Sequence, residues 1–254
     1  AINELLGTVE SSGDGKNANL VAQLETESLA AKAAEFKTTN NDDTIGWIRI
    51  PNTNVDYPVV YKAGVENYAY YESKGYDKQY SKDGVIWADY ECTFPELSQN
   101  TTLYGHNWHN IYTPRTQANM QANDLMFSLV MSYNYTDFAQ ENPFVYFSTT
   151  EQDYVFQVFA SYYTDLNFGY NYAQMSQEDF QKVIAEAKAK SLSNYNVPVT
   201  SEDKIVTLST CTRVHGNTNN QRFVVMAKLV PVGTPSTTIS THSNPIAYNS
   251  SIDA

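Results

Sequence analysis

Basic side chains are scarce: 16 Lys and Arg stand against 28 Asp and Glu in 254 residues, a formal net charge of −12. They are scattered singly, so no basic patch exists to neutralise a phosphate backbone, and nucleic acid is excluded as a partner. Cysteine is almost absent. Cys92 and Cys211 are too few for a disulfide scaffold or a Cys-rich zinc site, and no metal or other cofactor is expected. Long apolar runs are missing too: no stretch approaches the roughly 18 to 20 residues that cross a bilayer, and the opening Ala1-Ile2-Asn3-Glu4 lacks the basic and apolar regions of a signal peptide. The sequence as it stands reads as soluble. Membrane contact is expected only through an anchor lying outside it.

Against these absences stand a 42% apolar content, enough for a sizeable core in one large domain or two small ones, and twenty tyrosines, many beside Asn, Ser, Thr or Asp. Such a polar, Tyr-rich composition suits an extracellular protein.

Residues 1–16, with Gly7, Ser11, Ser12, Gly13, Asp14 and Gly15, show no apolar period and read as a flexible lead-in. From Asn17 to about Lys37, Leu20, Val21, Leu24, Leu29, Ala30, Ala33, Ala34 and Phe36 recur near the helical period, predicting an amphipathic helix capped by Asn17 or Asn19. Strands are expected at 45–50, 55–61, 84–88, 101–104, 144–148, 154–162, 204–210 and 222–229. Helices are expected at 124–133 and 176–190, the latter opened by Ser176-Gln177-Glu178-Asp179, an acidic start suited to the helix dipole. About eight short strands without regular β-α alternation predict a mainly β fold with added helices, a closed or nearly closed mixed barrel rather than a doubly wound sheet. Residues 232–254, rich in Ser, Thr, Asn and Pro, read as a polar C-terminal tail that could equally lie as an extended arm across the domain.

Chemistry concentrates in two segments. In the first, the β-branched run Lys204-Ile205-Val206-Thr207-Leu208-Ser209-Thr210 ends in Cys211, a polar loop follows, and a second strand starts at Arg222. Folded as a hairpin, this brings Arg222 back beside Cys211, and a cation beside a thiol favours the thiolate. By itself the segment fits equally a buried, inert cysteine packed under a loop. In the second, Leu103-Tyr104-Gly105-His106 runs from a strand through a glycine, taken to permit a sharp exit, to a histidine at the barrel rim. Of four histidines, His106 is the best placed partner for Cys211: His109 lies beyond the turn, His215 in a loop read as flexible, His242 in the tail. A disulfide between Cys92 and Cys211 would consume the thiolate, so both are expected free.

Taken together, Tyr104-Gly105-His106, Thr207-Leu208-Ser209-Thr210-Cys211 and Arg222-Phe223-Val224-Val225 resemble the signature of the sortases, cysteine transpeptidases of Gram-positive cell surfaces. Gly46-Trp47-Ile48-Arg49-Ile50-Pro51, Val55-Asp56-Tyr57-Pro58-Val59-Val60, the N-terminal helix and the helix at 176–190 are similar to class B members. The resemblance covers roughly residues 20–231, and 17–231 is read as a single sortase-like catalytic domain. It implies a closed eight-stranded sortase barrel with Cys211 as nucleophile, His106 as its protonation partner and Arg222 as the third catalytic residue. It further implies secreted proteins with a C-terminal sorting motif containing Pro and Thr as substrates, an amine of a peptidoglycan precursor or of a pilin subunit as acceptor, and work on the outer face of the membrane.

Two features depart from the family pattern. Thr212-Arg213-Val214 follow the cysteine where some class B members carry an acidic residue considered catalytic, so no Asp or Glu is assigned a role. The chain also continues for 23 residues beyond Pro231, where family chains usually stop. The rival readings are a papain-like or cell-wall Cys/His hydrolase, disfavoured because those chains place the cysteine early on a helix, and a non-catalytic surface-binding module, which would need no reactive thiol.

Overall fold

The computed structural model describes residues 20–246. The expected lead-in at 1–16, the candidate caps Asn17 and Asn19, and the end of the tail lie outside them. Eight strands close into a barrel: β1 (Thr44–Arg49), β2 (Asp56–Val60), β3 (Ile86–Ala88), β4 (Asn100–Tyr104), β5 (Phe144–Thr149), β6 (Val155–Thr164), β8 (Ile205–Cys211) and β9 (Arg222–Val230). Around the barrel the order is β1-β2-β3-β4-β8-β9-β6-β5. The pairs β2/β3 and β4/β8 are parallel and the rest antiparallel, so the barrel is mixed, as the strand spacing predicts. A further strand, β7 (Ser193–Tyr195), lies outside it and pairs with β10 (Ile239–Thr241). Among the described residues no helix is long and apolar enough to cross a membrane.

Side-chain alternation decides what the barrel encloses. Leu103, Leu208 and Val225 form one cross-strand row, all fully buried, and with Ile48, Val59, Ile86, Phe147, Phe156 and Val158 they belong to one continuous core. Each such side chain contributes about 1.5–3 kcal/mol of burial. The period of two puts Thr207, Ser209 and Cys211 on the opposite face of β8, in register with Tyr104 on β4 and Arg222 on β9.

The helix predicted from 17 to 37 is shorter. Only Leu29–Thr39 (α1) is helical. Upstream, Val21 bridges to Pro235, while Ala22 N donates to Thr234 O at 2.8 Å and Gly233 N donates to Ala22 O at 2.7 Å, so chain pairing overrides helical periodicity. The start of α1 is fixed from the β5–β6 turn. Ser28 caps Ala31 N, and Asp153 accepts from Ser28 Oγ at 2.6 Å and from Ala30 N at 2.8 Å.

The helix expected at 124–133 also differs. Met126 adopts a left-handed φ of 53°, Phe127 N donates to His106 O, and the segment continues as a 3-10 helix at Ser128–Asn134. Asp124, where the expected helix would start, accepts instead from Arg115 Nη1 and Gln121 N. The helix predicted at 176–190 is α3 (Gln177–Lys190), capped by Ser176, whose Oγ accepts from Asp179 N. A short helix α2 (Thr136–Glu141) had no apolar period to announce it. Residues 232–246 lie against the domain as an extended arm: Ser236 N donates to Leu20 O, β10 pairs with β7, and His242 N donates to Leu192 O.

Candidate active site

The β8–β9 ladder runs to its last residues, and Cys211 stands directly opposite Arg222. The ten-residue loop between them is well tied. Arg213 N donates to Ile111 O at 2.7 Å, and Gln221 Nε2 donates to Gly216 O and Thr218 Oγ1. The expectation of a flexible loop is thereby corrected: its turn is built on Gly216 at φ 130° and on the amide of Gln221. His215 lies edge-on against Tyr163, ring centroids 4.7 Å apart, and lines neither cavity described below.

His106 leaves the end of β4. Gly105 before it is required for space rather than for a sharp exit. A Cβ there would lie 2.5 Å from Ile86 Cδ1 and 2.7 Å from Phe127 Cγ, and its φ is not in the left-handed region. The imidazole stacks on Trp108, with centroids 4.8 Å apart and planes at 29°, and meets Trp87 on the barrel side at 5.8 Å. Its Nε2 lies 2.6 Å from the main-chain oxygen of Glu72. Asn107, buried beside it, donates from Nδ2 to the carbonyl of Cys211 at 3.2 Å, tying the histidine loop to the end of β8.

His106, Cys211 and Arg222 line one cleft of about 290 Å³. Its floor is the outer face of β3, β4 and β8, through Trp87, Tyr104 and Ser209. One lip is the β2–β3 crossover with Tyr68 and Glu72, the other the β6–α3 loop with Leu166 and Tyr170. The same three residues also line a second cavity of about 370 Å³ on the side of Trp108, Arg213 and Asn219. The geometry therefore brings together the residues singled out from the sequence and sets His109, exposed, and His242, in the arm, outside both cavities. Arg222 Nη1 donates to the main-chain oxygens of Asn219 and Gln221, each at 2.9 Å. Arg213 donates to Asn219 Oδ1 at 2.6 Å and reaches only the second cavity.

The two thiols differ sharply, and both are free. Burial pushes the Cys92 thiol up to about 12, whereas Cys211 is half-buried at the mouth of both cavities. On the cleft floor, Tyr104 donates to Asp89 Oδ2 at 2.7 Å and accepts from Asn171 at 2.9 Å. Burial raises the Asp89 carboxyl above the ordinary aspartate range, against the lowering pull of Glu91 N and Tyr104. Tyr170 donates to or accepts from Ser209 at 2.8 Å, and burial raises its phenol. Tyr104 and Ser209 stand in the two motifs quoted from the sequence but were given no role there, and Asp89, Tyr170, Asn171, the Glu72 carbonyl and the two tryptophans around His106 were assigned no part in the site.

A sequence model of the sortase domain matches residues 48–230. Sortase B of Staphylococcus aureus is 30% identical over 193 residues, 76% of this chain and 72% of the relative. Sortase B of Listeria monocytogenes is 29% identical over 191 residues, 75% of this chain and 71% of the relative. A solved Staphylococcus aureus sortase B–substrate complex superposes with a TM-score of 0.67 at 27% identity, covering 82% of this chain and 88% of that one. The chain belongs to the sortase family, cysteine transpeptidases that act at the Gram-positive cell surface. Relatives and solved structures alike put it in class B, the cell-wall-anchoring kind, and the closed eight-stranded mixed barrel is the fold they share.

Proposed function

We propose that residues 17–231 form the catalytic domain, that Cys211 is the nucleophile, His106 the general acid and base, and Arg222 the donor to substrate carbonyl oxygens. The observation that carries this reading is the convergence of the three side chains on one cleft, with Arg222 directly across the ladder from Cys211. The Cys211 thiolate attacks the Thr carbonyl of a C-terminal sorting motif in a secreted protein. The C–S bond forms, the C–N bond breaks, and the departing amine takes its proton from the His106 imidazolium. Arg222 offers a planar fork of donors to the oxygen on which charge develops. An acceptor amine then attacks the thioester, the C–S bond breaks, and the amine's proton returns to His106.

The acceptor is an amine of a peptidoglycan precursor or of a pilin subunit, and the reaction takes place on the outer face of the membrane. Two cavities sharing Cys211 suit a two-substrate exchange, one side holding the extended acyl donor and the other admitting the amine. The test is trapping of the acyl-enzyme with Pro- and Thr-containing sorting peptides, read by mass spectrometry, followed by release with candidate amines. An adduct on Cys211 that transfers to an amine supports the reading, and an adduct on Cys92, or none on Cys211, overturns it. His106→Ala should cut turnover on the order of 10²-fold or more, whereas His109→Ala and His215→Ala should be mild.

A further inference from the structure

A carbonyl oxygen can only accept, so the 2.6 Å contact between His106 Nε2 and Glu72 O requires the proton to sit on Nε2. The imidazole is thus engaged on one nitrogen by main chain, and only Nδ1 remains to exchange a proton with the reaction. The accepting carbonyl belongs to the long crossover between β2 and β3, and that crossover is pinned on both sides of it. Tyr71, the residue before Glu72, is buried and donates from Oη to Asp43 Oδ2 at 2.6 Å, and Asp43 is ion-paired to Lys62 at 3.0 Å and Lys78 at 3.1 Å. Ser81 N donates to Ser73 O at 3.0 Å, closing the crossover on itself. Trp108 Nε1 donates to Lys82 O at 2.9 Å, so the ring that stacks on His106 is fastened to the returning limb of the same segment.

Gly84 stands where these groups meet. A Cβ there would lie 2.9 Å from Glu72 O and 2.9 Å from His106 Cδ2, wedging between the imidazole and its acceptor. Its φ of 59° lies in the left-handed region as well. We propose that the Glu72 main-chain carbonyl is the acceptor that orients His106, in the role that a side-chain carboxylate fills in other Cys/His and Ser/His sites, and that Gly84 is a positioning residue keeping the space for that bond open. The proposal rests on the reading of His106 as the acid and base. It accounts for how the ring is oriented although Thr212-Arg213-Val214, with no Asp or Glu, directly follow Cys211.

Two measurements on the full chain test it. In Cys211→Ala protein, imidazole ¹⁵N shifts at neutral pH, assigned with His106→Gln, should report the Nε2–H tautomer for His106. In kinetics with a sorting-motif peptide, Gly84→Ala should lower kcat on the order of tenfold to a hundredfold with KM within about twofold, as misplacement of a reacting group does. Gly84→Asn separates clearance from backbone strain, because Asn tolerates a positive φ but still carries a Cβ. It should be as slow as Gly84→Ala. An Nδ1–H tautomer, or wild-type kcat in Gly84→Asn, overturns the proposal. If the Gly84 variants do not fold, the tautomer alone decides. The underlying reading fails separately: a fully active His106→Ala would remove His106 as the acid and base whatever its tautomer.

Discussion

Cys211 and Arg222 are the last cross-strand pair of the β8–β9 ladder, one ending its strand and the other opening the next, and both line the same cleft. Arg213 is nearer in sequence but sits in the loop, held by Asn219 on the side of the second cavity. A strand fixes direction, and a donor must be in place before charge develops on the carbonyl oxygen. Arg222→Lys keeps the charge but loses the planar fork, so its turnover should fall towards that of Arg222→Ala, while Arg213→Ala should keep most activity. Steady-state kinetics on the three variants decide it. Comparable losses at 213 and 222 would mean that local positive charge suffices.

The two thiols should separate cleanly by alkylation. Cys92 lies 2% exposed, its thiol raised to about 12, so near pH 7 it is almost wholly protonated and out of reach. Cys211 opens onto both cavities. Brief iodoacetamide treatment of folded protein should label Cys211 and leave Cys92 intact, as peptide mapping would read, and the loss of activity should track the first label alone. Equal labelling of both in folded protein would contradict the burial of Cys92.

How far the sequence could be read depends on whether a feature lives in side-chain type or in main chain. The barrel strands were visible because β-branched and apolar runs along 204–210 and 222–229 reflect two-sided burial, and a cysteine and a histidine at strand ends are distinctive residues. The acceptor of His106 was invisible because it is a carbonyl, which every residue carries. The start of α1 was misplaced because Asp153, 124 residues after Leu29, supplies the capping carboxylate. Ser193-Asn194-Tyr195 and Ile239-Ser240-Thr241 gave no alternation long enough to predict a strand, since each exists only through the other. At Met126, a left-handed residue interrupts the stretch that the apolar pattern reads as helical from 124, and helical backbone begins only at Ser128.

The arm beyond β9 should prove separable from catalysis. Its Ile239 is buried, it holds the 20–22 segment through Pro235 and Ser236, and none of its described residues lines either cavity around Cys211. Truncation after Pro231 strips β7 of its partner and uncovers Ala22. The melting temperature should fall by several degrees, because losing one buried aliphatic side chain and its pairing is worth about 2–3 kcal/mol. The kcat/KM for a peptide substrate should stay within about twofold at a temperature where both forms are folded. A large loss of kcat/KM with unchanged stability would give the arm a part in the site.

Two aspartates should bend the pH dependence of stability in opposite directions. At Asp153, burial alone would raise the carboxyl, but hydrogen bonds from Ser28 and Ala30 outweigh it and hold it below the ordinary value. The folded state therefore favours its ionised form. That contribution is complete above the unfolded value near 4 and is lost as pH falls through the lower folded value. At Asp89, burial dominates and raises the carboxyl despite the bonds from Glu91 N and Tyr104. Between the unfolded value and this higher folded one, the native chain holds a proton that the unfolded chain has released, so stability rises as pH falls through that window. Urea midpoints at pH 7, 5, 4 and 3 read both. Asp153→Asn should be less stable than the parent at pH 7 and lose part of the steep acid limb. Asp89→Asn keeps one carbonyl acceptor, for Tyr104, loses the one for Glu91 N and no longer titrates, so it should lack the parent's gain in stability between pH 7 and pH 4 and compare worse with the parent at pH 4 than at pH 7. Parallel curves for the two variants would refute the assignment of opposite signs to these carboxyls.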